Sequence, residues 1–326
     1  ISYQPIGVIL GIQPWNFPLY QVIRYACANV MAGNTTVLKH AGNVFGMAEK
    51  IEQLFKLAGF DDYCFKNLLI DGKTASELID HSAIRGVTFT GSDGTGKKVA
   101  ERAAKQVKKT VLELGSNDAY IVLDDADLNT AITACTQGRL INNGQTCVAA
   151  KRFIVVDALY DDFKALIKEQ FEQVVLGDPN DEKTTLGPMA RKDLRDQLHQ
   201  QVTDSVNAGA TIITGGKVAE HTGFYYTPTL LENIKPGMPA YDDELFGPVA
   251  SLIRAKDNAE AMQIANDSRY GLGGGIFSKD EQAAIELAKL HFDTGMVNIN
   301  GYGLAQPNLP FGGVKDSGYG REHGGF

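Results

Sequence analysis

The stretch GVTFTGSDGTGKK, residues 86–98, combines the two signals that decide the fold of this chain. It starts with a short apolar run, typical of a buried strand, and continues through glycines into a lysine-rich segment with helical character. Gly91 and Ser92 therefore lie where a strand ends and a helix begins. A helix N-terminus offers unpaired N–H groups and partial positive charge, and glycine lets a phosphate approach the backbone closely. The stretch predicts a strand–turn–helix unit that can hold the pyrophosphate of a nucleotide.

Strands and helices alternate outward from this unit along the whole chain. Up to residue 115 we predict strands at residues 6–12, 35–39, 65–70, 86–90 and 109–114, with helices at 18–32, 44–59, 73–80 and 95–107. Further on, we predict strands at residues 119–123, 152–156, 249–255 and 272–278, with helices at 127–140, from about 160, from about 191, at 258–267 and at 281–290. Strict alternation is typical of βαβ units. The expected fold class is α/β, with two domains that each contain a parallel sheet.

The composition favours a small-molecule ligand. The 326 residues carry a formal net charge of −8, whereas a nucleic-acid or anionic-membrane surface needs concentrated Lys and Arg. No apolar run approaches the roughly 20 residues of a membrane helix. The four cysteines, Cys27, Cys64, Cys135 and Cys147, lack the spacing of a disulfide framework or a zinc site. We expect no nucleic-acid partner, no membrane span, no metal and a reducing, cytoplasmic environment.

The glycine-rich turn also matches part of a P-loop, because four residues separate Gly91 from the pair Gly96 and Lys97. A P-loop has Ser or Thr at the next position to hold magnesium, and this chain has Lys98 there. The turn does not match the GxGxxG fingerprint of dinucleotide-binding folds either. Taken alone, the motif is weak, and a strand-to-helix turn without a ligand remains the alternative.

Cys147 ends the polar stretch NGQTC, residues 143–147, directly after a segment predicted to be helical. Most cysteines in such proteins act as small hydrophobic core residues, so a structural role is the simplest interpretation. A reactive cysteine, in contrast, lies in a polar and partly exposed environment. The position of Cys147 in a polar loop is compatible with either role.

Six stretches occur in the order in which the aldehyde dehydrogenase superfamily has them, and the resemblance covers essentially the whole chain. They are PWNFP (residues 14–18), FTGS (89–92), ELG (113–115), GQTC (144–147), ELFGPV (244–249) and PFGGVKDSGYGRE (310–322). Two more, LKHAGN (38–43) and CVAAKRFIV (147–155), are similar to the bacterial succinate-semialdehyde dehydrogenase branch of that family. The resemblance implies an aldehyde-oxidising enzyme with a Rossmann-like cofactor domain and a catalytic domain.

The resemblance implies three catalytic residues. Cys147 is the nucleophile, since a thiolate adds readily to an aldehyde carbon at neutral pH. The oxyanion formed by this addition is bound by the side-chain amide of Asn16 and the backbone N–H of Cys147. Hydride transfer to the nicotinamide leaves a thioester, and Glu113 is the general base that activates water to hydrolyse it. From the residues alone, Asn16 could cap a helix and Glu113 could be a surface carboxylate.

The resemblance also implies a site for NAD or NADP. The implied residues are Ile12, Gln13, Pro14, Trp15, Lys39, Gly72, Gly91, Ser92, Leu114, Gly115, Glu244 and Phe246. Lys39 reaches the adenosine ribose, Glu244 holds the nicotinamide ribose, and Phe246 packs beside the nicotinamide ring. Many NAD-preferring relatives have proline and glutamate where this chain has His40 and Gly42, and that glutamate repels a 2′-phosphate. We therefore expect both dinucleotides to work.

Arg24 matches an arginine of the succinate-semialdehyde dehydrogenase branch, where it would bind the distal carboxylate of the substrate. An ordinary surface or interdomain arginine is the alternative. Some relatives have a second arginine six positions before the nucleophile, and this chain has Ile141 there. The resemblance thus predicts succinate semialdehyde as the substrate, with medium-length aliphatic aldehydes as the open alternative.

The predicted organisation is a dinucleotide-binding domain at residues 1–115, a catalytic thiol domain at 116–318 and a tail at 319–326 that returns toward the oligomerisation region. Because family members continue at both ends, we expect a chain truncated at both termini, from a full-length homodimer or homotetramer. Two other functions remain open. One is an inactive fragment that binds dinucleotide or a partner protomer. The other is a coenzyme A-acylating relative, which Glu113 disfavours because a hydrolytic base is useful only when water attacks.

Overall fold

The structure is a computed structural model that describes residue 2 and residues 4–324. The chain divides into two compact units, one made of Ile1–Gly115 with Ala305–Phe326 and the other of Ser116–Leu304. The strands, in chain order, are β1 Val8–Gln13, β2 Thr35–His40, β3 Phe65–Asn67, β4 Ile84–Thr90, β5 Lys109–Glu113, β6 Ala119–Val122, β7 Arg152–Val156, β8 Thr211–Thr214, β9 Thr229–Glu232, β10 Val249–Ala255, β11 Tyr270–Gly271, β12 Gly274–Phe277, β13 Asn298–Ile299, β14 Val314–Lys315 and β15 Gly318–Tyr319. The helices are α1 Tyr20–Met31, α2 Phe45–Leu57, α3 Gly72–Leu78, α4 Asp93–Lys105, α5 Leu128–Leu140, α6 Asp157–Glu172, α7 Lys192–Asn207, α8 Pro239–Asp242, α9 Asn258–Asn266 and α10 Glu281–His291.

The first unit is built on a six-stranded sheet in the order β15-β5-β4-β1-β2-β3. Neighbouring strands are parallel except for β15 and β5. Successive side chains of a strand point to opposite faces, so each face of the sheet needs its own apolar cover. Leu10, Val87 and Leu112 form one buried cluster with residues of α4, while Leu38 and Phe65 form a second with residues of α1 and α2.

Helix α1 shows how the local sequence produces this packing. Its buried residues Val22, Tyr25 and Ala26 recur at i, i+3 and i+4, which places them on one face of the helix. Gly11 of β1 faces this helix, and a Cβ at that position would lie 2.2 Å from the ring of Tyr25. Only glycine therefore lets α1 approach the sheet this closely.

The second unit is built on a seven-stranded sheet in the order β13-β12-β6-β7-β10-β9-β8. Its strands run parallel except for β8, which is antiparallel to β9. Strands β6 and β7 are buried at every position, and accordingly they are almost continuous apolar runs. Phe153 packs with α5 and α6 in one cluster, and Ile154 packs with α7 and α9 in another. The two units confirm the predicted α/β fold class.

Several elements differ from those predicted. The strand expected at residues 6–12 begins at Val8, because Gly7 has a positive φ of 123°. The strand expected at residues 65–70 ends at Asn67. Strands β8 and β9 were not predicted. Strand β8 is exposed or half-buried along its length, so its sequence lacks the apolar pattern of a buried strand.

The unit boundaries also differ from the predicted domains. Residues 305–318 were expected to belong with 116–318, but they group with the first unit. The reason is strand β15, which pairs with β5 so that Gly318 lies opposite Glu113. Ser317 adds to this pairing by donating its Oγ hydrogen to the carbonyl oxygen of Gly115 at 2.7 Å. A two-residue strand has no periodicity from which a sequence pattern could predict it.

No helix in the described part of the chain is long and apolar enough to cross a membrane. Within residues 4–324 and residue 2, no three His, Cys, Asp or Glu side chains are grouped so that they could hold a metal ion. All four cysteines lie among the described residues, and none of them forms a disulfide.

Candidate active site

Cys147 lies at the end of a loop whose backbone conformation is unusual. The loop follows α5 and contains Asn142 and Asn143 with φ of 50° and 56°, and Gly144 with φ of 70°. Asparagine and glycine adopt this left-handed conformation most readily. A Cβ on Gly144 would also lie 2.2 Å from the carbonyl oxygen of Gly247. The NNG sequence thus turns the chain sharply after α5 and leaves the Cys147 side chain partly exposed.

A buried lysine holds this loop. The Lys151 side chain is 2% exposed, and its Nζ lies 3.0 Å from Glu244 Oε1. Nζ also donates to the carbonyl oxygens of Cys147 at 2.5 Å and Thr146 at 3.2 Å, and to Ser116 Oγ at 2.8 Å. Ser116 Oγ in turn donates to the carbonyl oxygen of Cys147. No role was predicted for Lys151 or Ser116 from the sequence, although Lys151 lies within the CVAAKRFIV stretch.

Glu244, predicted to hold the nicotinamide ribose, belongs to the same network. Its Oε1 accepts the backbone N–H of Ser116 at 3.1 Å as well as the Lys151 ammonium group. Burial raises the pKa of Glu244, and the charge of Lys151 opposes that rise. The carboxylate is 17% exposed, so it retains access to solvent. These two donors fix the orientation of the carboxylate, and its contact with a cofactor stays a prediction.

Arg139 supports the loop from α5. Its side chain is fully buried, and Nη2 donates to the carbonyl oxygen of Gly144 at 2.6 Å. Burial lowers the pKa of Arg139 to about 10. The hydroxyl of Tyr302 is buried close by, and burial together with the charge of Cys147 raises the pKa of Tyr302. Two buried cations, Arg139 and Lys151, therefore bind carbonyl oxygens of the segment that carries the thiol.

Glu113 lies in the first unit at the end of β5 and is 2% exposed. Neither carboxylate oxygen accepts a hydrogen bond from the described residues. Burial raises the pKa of Glu113 well above its ordinary value, and the neighbouring charge of Glu322 raises it further. The charges of Arg24 and Arg321 act in the opposite direction. This carboxyl is therefore not a surface group, and it is ready to take up a proton.

Arg24 is 6% exposed and forms an ion pair with Glu322, which is 8% exposed. Thr88 Oγ1 donates to Glu322 Oε1 at 3.2 Å, and the Arg24 guanidinium lies 4.5 Å from the centre of the Phe311 ring. Arg24 is thus a buried residue, not an ordinary surface arginine. Its contact with a substrate carboxylate stays a prediction. Glu322 ends the PFGGVKDSGYGRE stretch, and no role was predicted for it from the sequence.

Asn16 lies in the loop between β1 and α1. Its Oδ1 accepts the side-chain amide of Gln21 at 3.1 Å. Leu19 occupies the N-cap position of α1, so Asn16 is not the N-cap residue of this helix. The role of Asn16 as an oxyanion donor stays a prediction.

His40 is fully buried next to the same loop. Its Nε2 lies 2.9 Å from the carbonyl oxygen of Pro18, and its Nδ1 lies 3.2 Å from the carbonyl oxygen of Gln13 and 3.0 Å from the backbone nitrogen of Ala41. The Pro18 contact needs a proton on Nε2, which a neutral imidazole can supply. Burial lowers the pKa of His40, which favours the same neutral state. His40 therefore joins β2 to the loop that carries Asn16.

Most of the predicted cofactor residues lie at one edge of the first sheet. Gln13 is the last residue of β1 and Lys39 is the last but one of β2. Gly91 directly follows β4, and Leu114 directly follows β5. The carboxyl ends of parallel strands share one edge, which is where ligands bind in sheets of this kind. The other predicted residues of this unit are Ile12, Pro14, Trp15, Ser92 and Gly115, next to these strand ends, and Gly72, at the start of α3. Glu244 and Phe246 belong to the second unit.

The start of α4 fits a phosphate group. Ser92 is the N-cap residue in an extended conformation, but its side chain does not cap the helix and instead donates to Thr95 Oγ1 at 3.0 Å. Burial lowers the pKa of Lys39, and the charge of Asp71 opposes that effect. A helix N-terminus behind Gly91 and a cation at the same sheet edge are suitable donors for a dinucleotide.

A family model described as "Aldehyde dehydrogenase family" matches residues 1–326. The chain is 47% identical over 322 residues to the succinate-semialdehyde dehydrogenase [NADP(+)] of Deinococcus radiodurans, covering 99% of this chain and 67% of the relative. It is 46% identical over 322 residues to the succinate semialdehyde dehydrogenase [NAD(P)+] of Escherichia coli, covering 99% of this chain and 70% of the relative.

Solved structures of related enzymes superpose on nearly the whole of this chain. The succinic semialdehyde dehydrogenase of Streptococcus pyogenes in complex with NADP+ has a TM-score of 0.96 at 41% identity, covering 98% of this chain and 70% of its own. The betaine aldehyde dehydrogenase of Staphylococcus aureus in complex with NAD+ has a TM-score of 0.94 at 32% identity, covering 98% of this chain and 64% of its own.

Proposed function

The chain belongs to the aldehyde dehydrogenase family, and from this premise we propose that it oxidises succinate semialdehyde to succinate with NAD+ or NADP+. It is an NAD(P)+-dependent oxidoreductase that acts on an aldehyde. One observation carries the choice of substrate. Relatives that are 47%, 46% and 44% identical over 99% of this chain are named succinate-semialdehyde dehydrogenases.

In the proposed reaction, the Cys147 thiolate adds to the aldehyde carbon, and Asn16 and the Cys147 backbone N–H stabilise the resulting oxyanion. The bound dinucleotide supplies the hydride acceptor. The acyl group is then a thioester on Cys147, which water hydrolyses with Glu113 as the general base. The burial of Glu113 and its lack of hydrogen-bond donors support this role, because both favour proton uptake.

We also propose that both dinucleotides are substrates. Gly42 brings no carboxylate to the end of β2, and the ring nitrogens of His40 are bound to backbone groups. No acidic group at these two positions therefore repels a 2′-phosphate. The measurement is kcat/KM for NAD+ and NADP+ with one aldehyde, and a strong NAD+ preference would contradict the proposal.

Arg24 is the proposed ligand of the substrate carboxylate, in competition with Glu322. We expect Arg24→Gln to raise KM for succinate semialdehyde about tenfold or more, and to change KM for an uncharged aldehyde of similar length much less. Because Arg24→Gln leaves Glu322 unpaired, the control is Arg24→Gln combined with Glu322→Gln, with thermal unfolding measured for both. Equal changes in KM for the two aldehydes would exclude this role and favour a medium-length aliphatic substrate.

The same assay separates the alternatives. Dinucleotide binding without reduction would indicate an inactive fragment, and turnover that requires coenzyme A would indicate an acylating relative. We propose a homodimer or homotetramer for the full-length protein, to be tested by light scattering. A cytoplasmic location is proposed because the four cysteines form no disulfides. Fractionation of cells that express the full-length protein tests the location.

A further inference from the structure

Lys151 places a positive charge inside the second unit, where an ammonium ion is costly unless its donors are satisfied. The group has three N–H donors, and four oxygens lie within reach of them. These oxygens belong to Ser116, to Thr146 and Cys147 in the thiol loop, and to Glu244. Lys151 therefore links the loop that carries the nucleophile to the carboxylate assigned to the nicotinamide ribose.

One of these contacts has a directional effect. Lys151 donates to the carbonyl oxygen of Thr146, which belongs to the same peptide unit as the backbone N–H of Cys147. In a planar trans peptide, the C=O and the N–H point in opposite directions. A cation bound to the oxygen therefore fixes the direction of this N–H, and polarisation along the hydrogen-bond chain makes it a stronger donor.

A second contact involves Glu244. Its Oε1 is held by Lys151 and by the backbone N–H of Ser116. Any ligand that binds this carboxylate changes its interaction with Lys151. The hydrogen bonds that Lys151 donates to the carbonyl oxygens of Cys147 and Thr146 change as a consequence. The coupling needs no large movement, because one Nζ atom contacts both partners.

We propose that Lys151 is a positioning residue that orients and polarises the Cys147 backbone N–H and couples it to the occupancy of Glu244. The proposal rests on the proposed function, in which that N–H stabilises the oxyanion and Glu244 holds the nicotinamide ribose. It deepens that function by naming a residue that links cofactor binding to the reactivity of the thiol.

The test uses Lys151→Met, which keeps an unbranched side chain one atom shorter than lysine and removes its charge and donors. We expect kcat to fall about 10- to 100-fold, which is less than the loss of an oxyanion donor itself, with little change in KM for the aldehyde. Lys164→Met is the matched control, since Lys164 forms an ion pair with Glu232 elsewhere in the same unit. A kcat for Lys151→Met equal to that of the control would overturn the proposal.

A second readout does not depend on turnover. The rate of Cys147 alkylation by iodoacetamide is measured by peptide mass spectrometry, with and without saturating NADP+. We expect NADP+ to change this rate at least about fivefold in the wild-type protein and in Lys164→Met, and less than about twofold in Lys151→Met. An unaltered response in Lys151→Met would contradict the coupling. Failure of the wild-type protein to reduce NADP+ would instead contradict the proposed function.

If Lys151→Met does not fold, Lys151→Gln carries the same measurements. Glutamine keeps N–H donors for the carbonyl groups and removes the charge. We expect a folded protein by circular dichroism, with kcat reduced and the response to NADP+ weakened. Wild-type values of both quantities in this variant would overturn the proposal.

Discussion

Glu113 in the first unit and Glu244 in the second are both largely buried carboxylates, yet their surroundings are opposite. Glu113 is 2% exposed, has no hydrogen-bond donor among the described residues and has Glu322 nearby. Glu244 accepts from the Ser116 backbone and forms an ion pair with Lys151. Burial raises the pKa of both carboxyl groups, but Glu322 adds to the rise at Glu113, whereas Lys151 and the Ser116 N–H oppose it at Glu244 and fix the orientation of that carboxylate.

The difference teaches how one residue type serves two tasks. A general base must exchange a proton, so its ionised form should not be strongly stabilised. A group that binds hydroxyls must present oxygens in a fixed direction, so its donors should be permanent. The burial and the partners of each glutamate match the task that we propose for it.

Glu113→Gln is expected to have the largest effect on this comparison. An amide cannot accept a proton from water, so steady-state kcat should fall about 10²- to 10⁴-fold. Acylation of Cys147 does not need the base, so a stoichiometric burst of reduced nicotinamide should remain in stopped-flow absorbance. Glu244→Gln is the matched control, and it should slow the burst itself. Loss of both phases in Glu113→Gln would contradict the assignment of Glu113 to hydrolysis.

The same two variants should differ in stability. The pKa of Glu113 is raised, so the folded state binds the proton more tightly than the unfolded chain does. The resulting stability is complete below the ordinary glutamate pKa and is lost as the pH rises through the raised value. Above it, Glu113→Gln should be more stable than the wild type, because the substitution removes a buried charge that has no hydrogen-bond donor. Glu244→Gln should be less stable, because it leaves Lys151 buried without a counter-ion.

Urea denaturation at several pH values measures this difference. The decisive quantity is the sign of the change in the free energy of unfolding for Glu113→Gln at high pH. A destabilised variant would show that partners stabilise the Glu113 carboxylate in the folded state.

Smaller and opposite effects are expected from two neighbours of Glu113. Glu322→Gln removes a negative charge, so the pKa of Glu113 should fall and the acid limb of the kcat profile should move to lower pH. Arg321→Gln removes a positive charge, so the limb should move to higher pH. The pH dependence of deacylation, measured in single turnover, checks both shifts. Shifts of the same sign would mean that Glu113 does not set this limb.

Much of the fold was predictable because it depends on local patterns. The runs at 86–90 and 152–156 are buried strands of the two sheets, as predicted, because apolar runs flanked by helices have few other stable arrangements. Strands β8 and β15 were not predictable, since one is largely exposed and the other has only two residues. Their pairing depends on partners from distant parts of the chain.

The candidate site also has features that the sequence predicts and features that depend on the tertiary structure. The sequence by itself determined the central strands and most helices of the two units, and the order of the motifs that contain Cys147, Glu113 and Asn16. Only the tertiary structure decided that Thr88 and Glu322, 234 positions apart, share a buried hydrogen bond, and that Lys151 binds the thiol loop and Glu244 together. The physical reason is that secondary structure depends on neighbours in sequence, whereas the pKa of a carboxyl and the orientation of a peptide group depend on burial and on charges that folding brings near.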